Sequence, residues 1–295
     1  MMEKYNASAA HTKKRSAFAE VWRNYRKSFG AMLGLVIVAS IIIIIILGGV
    51  IYNYNTDVIG QNIANAKQAP GNGHIFGTDE FGRDICARII WGGRYSFLIG
   101  LAAVLVSAFL GIILGSLAGY YGGIVETVIM RVADVFQSIP AIMLGICFVS
   151  AFGQSITILT IAVAIGQIPS LTRVTRASVM TTRDMEYVEA ARAIGANDFI
   201  VIFRHVLANS LSPIIVQATL RIGGSIVSIA ALSFIGLGVI APTPEWGAML
   251  SSARAYLRGN SYMALFPGLA IMITVMGSNL IGDGIRDAMD PKLKK

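Results

Sequence analysis

Few residues in this chain combine the type and spacing needed for bond-making chemistry. Asp79, Glu80 and Asp84 stand close together, and clustered carboxylates can serve as acids, bases or metal ligands. A zinc-type site also needs a further ligand set, usually His or Cys at short spacing, and none accompanies these three. The interleaved Arg83 and glycines suit a structured loop better. Cys86 and Cys147 lie far apart with no C-x-x-C spacing, and Cys147 sits in an apolar run where it reads as a small hydrophobe. A phosphate-binding loop needs glycines before a lysine, because its backbone amides and that lysine hold the phosphates. No lysine occurs between Gln68 and Pro291, and the pair Lys27-Ser28 follows Arg26 where glycine is required. No Ser/His/Asp set or pair of carboxylates falls within an apolar stretch. The expectation is a chain that is not an enzyme and holds no metal or cofactor of its own.

Two other features carry chemistry of a gentler kind. Arg221, with Gln217 one turn before it, interrupts an apolar stretch. A charge at the centre of a membrane helix costs about 2.5–3.5 kcal/mol on insertion scales, so it must face protein or water. Arg221 has two readings: it meets a substrate carboxylate in a translocation cavity, or it snorkels or pairs structurally with Gln217. The second feature is Glu189-Ala190-Ala191 followed by Gly195 and, further on, His205. Around it Tyr187, Val188, Ala191 and Ile194 keep helical spacing, and Gly195 is a C-terminal stop. Such a helix can lay an apolar edge into a groove on a soluble partner.

The elements that must hold these residues are membrane spans. The chain has 295 residues, 55% hydrophobic and only 14% charged, where soluble domains carry roughly 25% charged residues. Its net charge of +8 sits in tails and loops without interleaved stacking aromatics, which argues against nucleic acid as a partner. The first 29 residues are polar and basic, and the apolar stretch after them exceeds a signal-peptide core, so a retained first helix is expected. About 20 apolar residues cross a bilayer. Uncharged stretches, one of them centred on Ile41 to Ile46, place spans near 30–52, 95–119, 132–152, 155–171, 212–239 and 263–282. The turn Phe152-Gly153-Gln154-Ser155 separates the third from the fourth. Pro140 and Pro169 suggest kinks. The fold expected is an all-α integral membrane protein of six helices, with no period-2 alternation to support a barrel.

This divides the chain into a tail over 1–29, a first helix over 30–52, a loop over 53–94, a five-helix core over 95–282 and a tail over 283–295. Within the core a loop over 172–211 is expected to hold two short helices, the second capped by Asp198 and ending near Leu211 before Pro213. Basic residues mark the cytoplasmic side. Lys4, Lys13, Lys14, Arg15, Arg23, Arg26 and Lys27 in the first tail fall on one side. Arg131, the arginines of the 172–211 loop, and Arg286, Lys292, Lys294 and Lys295 fall on the same side. Both termini and the 172–211 loop are therefore expected in the cytoplasm. Trp246, with Pro242 and Pro244, suggests a short re-entrant or interfacial element on the opposite side.

The spacing Glu189-Ala190-Ala191-x3-Gly195-x9-His205 resembles the EAA loop (EAA-x3-G-x9-I-x-L-P) of permease subunits of ATP-binding-cassette importers. His205 stands at the Ile position, and Ala208 replaces the final Pro. Similarity extends over about residues 20–292. It includes Gly77-Thr78-Asp79 with Gly82-Arg83-Asp84, Ser138-Ile139-Pro140, Pro244-Glu245-Trp246-Gly247 and Gly282-Asp283-Gly284-Ile285-Arg286. These motifs look like the C-type membrane subunit of the dipeptide/oligopeptide/nickel permease family. Ile229 and Ala241 depart from it, where relatives often carry Glu and Pro. The resemblance implies a type I importer permease in a bacterial or archaeal inner membrane, moving di- or oligopeptides; nickel, opines and oligosaccharides are alternative cargoes. It implies a second permease subunit as partner, two cytoplasmic ATP-binding subunits that hold ATP and Mg, and an extracytoplasmic substrate-binding protein. Its coupling residues would be Tyr187, Val188, Glu189, Ala190, Ala191, Ile194, Gly195 and His205. A channel that conducts without nucleotide is the rival from another class.

Overall fold

In hydrocarbon each backbone polar group must be satisfied within the chain, which favours long helices. The computed structural model describes residues 17–71 and 73–290. The basic residues Lys4, Lys13, Lys14, Arg15, Lys292, Lys294 and Lys295, and so the outer parts of both expected tails, lie outside the described residues. Among the described residues the long elements are all helical, and strand-like pairing is limited to two isolated bridges, Gly71 with His74 and Thr78 with Asp84. The helices are α1 (Ala17–Tyr25), α2 (Phe29–Ile51), α3 (Ile85–Tyr121), α4 (Gly123–Ser138) and α5 (Ala141–Phe152). They continue as α6 (Ile156–Arg183), α7 (Glu186–Ala193), α8 (Asp198–Phe234), α9 (Trp246–Ala253) and α10 (Tyr262–Met289). Five of these (α2, α3, α6, α8 and α10) are long and apolar enough to cross a membrane, and the bent pair α4–α5 makes a sixth.

The most extensive helix contact is between α3 and α6, and glycines make it possible. Gly111, Gly115 and Gly119 recur every fourth residue on one face of α3. A Cβ on Gly115 would lie 2.5 Å from the Thr172 carbonyl oxygen and 2.5 Å from Thr175 Cβ. One on Gly119 would lie 2.8 Å from the Arg176 oxygen. Removing side chains at this spacing lets two backbones touch, which is how helices associate where lipid is as apolar as leucine. Around this crossing Ile99, Ala103, Leu159, Val163, Ile229 and Leu232 form a buried core. At the periphery α2 packs on α10, while Ile43, Ile44 and Ile46 stay half exposed, as a lipid-facing surface would.

Several boundaries differ from the expectation, each for a physical reason. The helix that holds the second span begins at Ile85, ten residues before the expected span. Arg88 and Arg94 fit inside this helix because their charges are met elsewhere. Arg88 Nη1 donates to the Val58 carbonyl at 2.8 Å, and Arg94 Nη2 donates to that of Ile45 at 3.0 Å while its guanidinium covers the Trp91 ring. The third span is not one rod over 132–152. Pro140 disfavours helical geometry at Ile139, which is extended, and α4 meets α5 at 88°. The fourth helix runs past residue 171 to Arg183, because its arginines find partners along α3 and α4. Arg173 pairs with Asp134, Arg176 pairs with Glu126, and Arg183 Nη1 donates to the Gly119 carbonyl at 2.8 Å.

The 172–211 loop therefore shrinks to α7 and its flanking turns. Asn197, not Asp198, caps the following helix, its Oδ1 accepting from the Ile200 amide at 2.9 Å. That helix does not stop near Leu211. It continues through Pro213 to Phe234, passing a π turn at Val201–Val206. Its end falls short of residue 239 because Gly236, at φ 89°, reverses the chain.

Candidate functional site

At one end of the bundle, α7 lies against the tips of α3, α6 and α8. Its Val188 and Ala191 are buried, Val188 in a cluster with Tyr120, Val179, Val201 and Val206. Tyr187, Glu189, Ala190 and Ile194 face outward, Ile194 being 87% exposed. The expected apolar edge of Tyr187, Val188, Ala191 and Ile194 is thus split by the 3.6-residue period: two of its members anchor the helix and two remain on the surface. Gly195 ends α7 at φ 85°, a left-handed conformation that disfavours side chains. Just beyond it Phe199, 69% exposed, and Phe203 lie tilted against each other with ring centroids 4.7 Å apart, two further exposed apolar side chains at this end. His205 lies in the π turn, partly buried, its carbonyl accepting from Asn209 Nδ2 at 2.7 Å.

Electrostatics tie this assembly to the long helices. The Tyr120 hydroxyl donates to Asp198 Oδ1 at 2.7 Å, and the Arg192 guanidinium stands 4.9 Å over the Tyr120 ring. Glu189 forms no ion pair with any described residue, so its carboxylate is free to meet a cation from elsewhere.

Arg221 and Gln217 are brought together with Ser170 of α6. Arg221 Nη2 donates to Ser170 Oγ at 2.6 Å. With its amide oxygen turned toward Arg221, Gln217 accepts from Nε and Nη2 at 3.2 Å each. Arg221 lines a recess of about 340 Å³ between α5, α6 and α8, with Gln167, Gly224 and Ser228. Structural pairing with Gln217 is therefore present, and the guanidinium also borders this recess.

At the opposite end, Asp79 and Glu80 of the 53–84 segment are engaged by arginines. Asp79 Oδ2 accepts from Arg83 Nε at 2.7 Å and lies 3.4 Å from Arg88 Nε, while Asp84 pairs with His74 Nδ1 at 2.7 Å and caps α3. Trp246 is buried at the start of α9, which Glu245 caps through the Gly247 and Ala248 amides while also accepting from Ser96 Oγ at 2.9 Å.

This arrangement, a bundle of spans with a short helix across one end, has relatives. The family model for the binding-protein-dependent transport system inner membrane component matches residues 111–295. The N-terminal transmembrane domain of oligopeptide transport permease C matches residues 16–70. The chain belongs to the family of binding-protein-dependent inner-membrane transport components. Over 279 residues this permease is 43% identical to the dipeptide transport system permease protein DppC of Alkalihalophilus pseudofirmus, covering 95% of this chain and 91% of that one. It is 40% identical over 280 residues to the glutathione transport system permease protein GsiD of Pectobacterium atrosepticum, covering 95% and 93%. In fold it is similar to an inward-facing structure of the MetNI methionine ABC transporter, with a TM-score of 0.56 at 16% identity, covering 69% of this chain and 97% of that one. The permease is thus a multi-pass C-type membrane subunit of an ABC importer, of type I fold.

Sequence reasoning missed Phe199, Phe203 and Gln167. The phenylalanines lie one turn apart (i, i+4) directly after the Asn197 cap, a signal that was present. Gln167 carried no local signal, because only the packing of α6 on α8 gives it a place.

Proposed function

We propose that this permease lines the path of a di- or oligopeptide importer and takes its motion from a separate ATPase through α7. A second, similar permease subunit completes the path. Two cytoplasmic subunits bind ATP and Mg and hydrolyse the nucleotide, and an extracytoplasmic binding protein delivers the cargo. In this reading both termini and α7 face the cytoplasm, in line with the basic residues Arg23, Arg26, Lys27, Arg192 and Arg204 at that end. Support for the peptide class comes from the dipeptide and glutathione permeases to which the chain is similar.

The observation that carries the coupling role is the division of α7 into two faces. Buried Val188 fixes it to α3, α6 and α8 and Ala191 is buried beside it, while Tyr187, Glu189, Ala190 and Ile194 remain available. Covering roughly 100 Å² on each exposed apolar side chain is worth about 2.5 kcal/mol, and small Ala190 permits close approach. A helix gripped outside and wedged inside transmits displacement to the spans. Alternating access follows when the ATPases close and the bundle rocks between two states, provided the docked contacts differ between them.

The test is Ala190→Glu in the complete transporter. Permease abundance in the membrane should be unchanged, because position 190 is exposed, while recovery of the ATPase with the permease falls at least about tenfold. Undiminished recovery together with undiminished ATP-driven uptake would remove α7 from the coupling role.

A further inference from the structure

Arg221 is a cation whose surroundings offer it no anion. It belongs to none of the ion pairs among the described residues, and its hydrogen bonds go to neutral oxygens, Ser170 Oγ and Gln217 Oε1. Its depth follows from helix geometry. The end of the bundle near α9 is marked by Gln154 Nε2 donating to the Gly236 carbonyl at 2.6 Å. From there Ser170 and Arg221 each lie about 20 Å along their helices at 1.5 Å per residue, inside a hydrocarbon layer of about 30 Å. A guanidinium at that depth is retained at a cost unless something repays its desolvation.

A second group in the same recess is also unfinished. Gln167 is 8% exposed; its Nε2 donates to Ser225 Oγ at 2.7 Å, but its Oε1 is buried with no donor. A buried acceptor left without a partner costs on the order of 1–3 kcal/mol. Gln167 and Ser170 sit one turn apart on α6, as Ser225 and Arg221 do on α8. The two unfinished groups therefore form adjacent rungs, spaced by about 5 Å, on the wall of the 340 Å³ recess. The rest of that wall includes Ala141, Ile142, Gly224 and Val227, which leaves room for a small apolar side chain.

We propose that this recess is a station for the carboxylate end of the transported molecule. Arg221 takes the carboxylate, Gln217 and Ser170 hold the guanidinium toward it, and Gln167 Oε1 takes an adjacent N–H. The ligand class is a free α-carboxylate preceded by an amide, as at the C-terminus of a peptide. This rests on the importer reading above and deepens it by naming the group that the permease itself recognises. Gln217 and Ser170 already engage Nε and Nη2, which leaves Nη1 to meet the carboxylate in a charge-assisted hydrogen bond that carries direction as well as charge. Neutralising that end of the cargo should therefore matter at the permease, not only at the binding protein.

The experiment uses the complete transporter in proteoliposomes, with its binding protein saturated, and two probes: trialanine and trialanine C-terminal amide. Saturation of the binding protein by each probe is verified separately. Arg221→Gln should lower the ratio of trialanine uptake to trialanine-amide uptake about tenfold or more; Arg221→Lys should restore part of that ratio. Gln217→Glu places a carboxylate beside an intact Arg221 and should depress trialanine uptake in the same selective way, even if the Arg221 variants fail to assemble. Equal losses for both probes in an assembled transporter would make Arg221 a structural residue and overturn the station, as would no loss for either. If the unaltered transporter moves neither probe, the peptide reading itself fails and the station falls with it. That outcome is distinct from a selective failure of the variants.

Discussion

The Tyr120 hydroxyl donates to Asp198 Oδ1 at 2.7 Å, joining the last turn of α3 to the first of α8 across 78 positions of sequence. Arg192 of α7 covers the same ring, so one side chain links α7 to two spans. Tyr120→Phe keeps the ring and its cation contact but removes the hydrogen bond. The expected loss is about 1 kcal/mol of local stability, too little to unfold the permease. If displacement of α7 passes through this link, cargo moved per ATP hydrolysed should fall about fivefold in reconstituted transporter while ATPase recruitment stays intact. An unaltered transport-to-hydrolysis ratio would show that the Val188 and Ala191 packing transmits the motion without it.

What the sequence made legible depended on whether the forces were local. Long uncharged stretches announced α2 and α10, because lipid solvation acts on every residue of a span. Gly195 announced the end of α7, since a left-handed turn constrains a single residue. The start of α3 was hidden because Arg88 and Arg94 look like loop residues until Val58 and Ile45 are seen to supply their acceptors. The length of α6 was hidden in the same way, through Arg173 with Asp134 and Arg176 with Glu126. The inward and outward faces of α7 could not be assigned from spacing, since Val188 is as apolar as Ile194. Only Val201 and Val206, arriving from α8, decide which of them is buried. Arg221 was legible as an anomaly, but its recess was not, because Gln167 becomes part of it only by packing.

The glycine ladder on α3 supports a second prediction. At Gly115 an added Cβ meets a backbone oxygen, Thr172 O, at 2.5 Å, and a carbonyl in a helix cannot swing aside as a side-chain tip can. Gly115→Leu must force α3 and α6 apart along their whole contact. Overpacking of this kind costs about 1–3 kcal/mol in ordinary cores, and more is expected where backbone meets backbone. The permease should then fail to accumulate in membranes or lose thermal stability in detergent by many degrees. Gly224→Ala, where an added Cβ has nothing within 4 Å, should leave both unchanged. Normal accumulation and melting of Gly115→Leu would mean that the α3–α6 crossing is looser than these distances require.

Orientation supports the third. Ile75, 68% exposed in the segment before α3, and Ile194, 87% exposed after α7, sit at opposite ends of the bundle. Cys147 is exposed and Cys86 buried, so a Cys147→Ser background leaves little thiol for a membrane-impermeant maleimide. In that background Ile75→Cys should label in intact cells stripped of their outer barrier. Ile194→Cys should label only after the inner membrane is opened, and less readily when the ATPase is present to cover it. Basic residues resist translocation, and those flanking α7, Arg183, Arg192 and Arg204, are what should hold this end inside. Labelling of position 194 from outside would put α7 beyond the reach of any cytoplasmic ATPase and end the coupling proposal, whatever the packing of Val188.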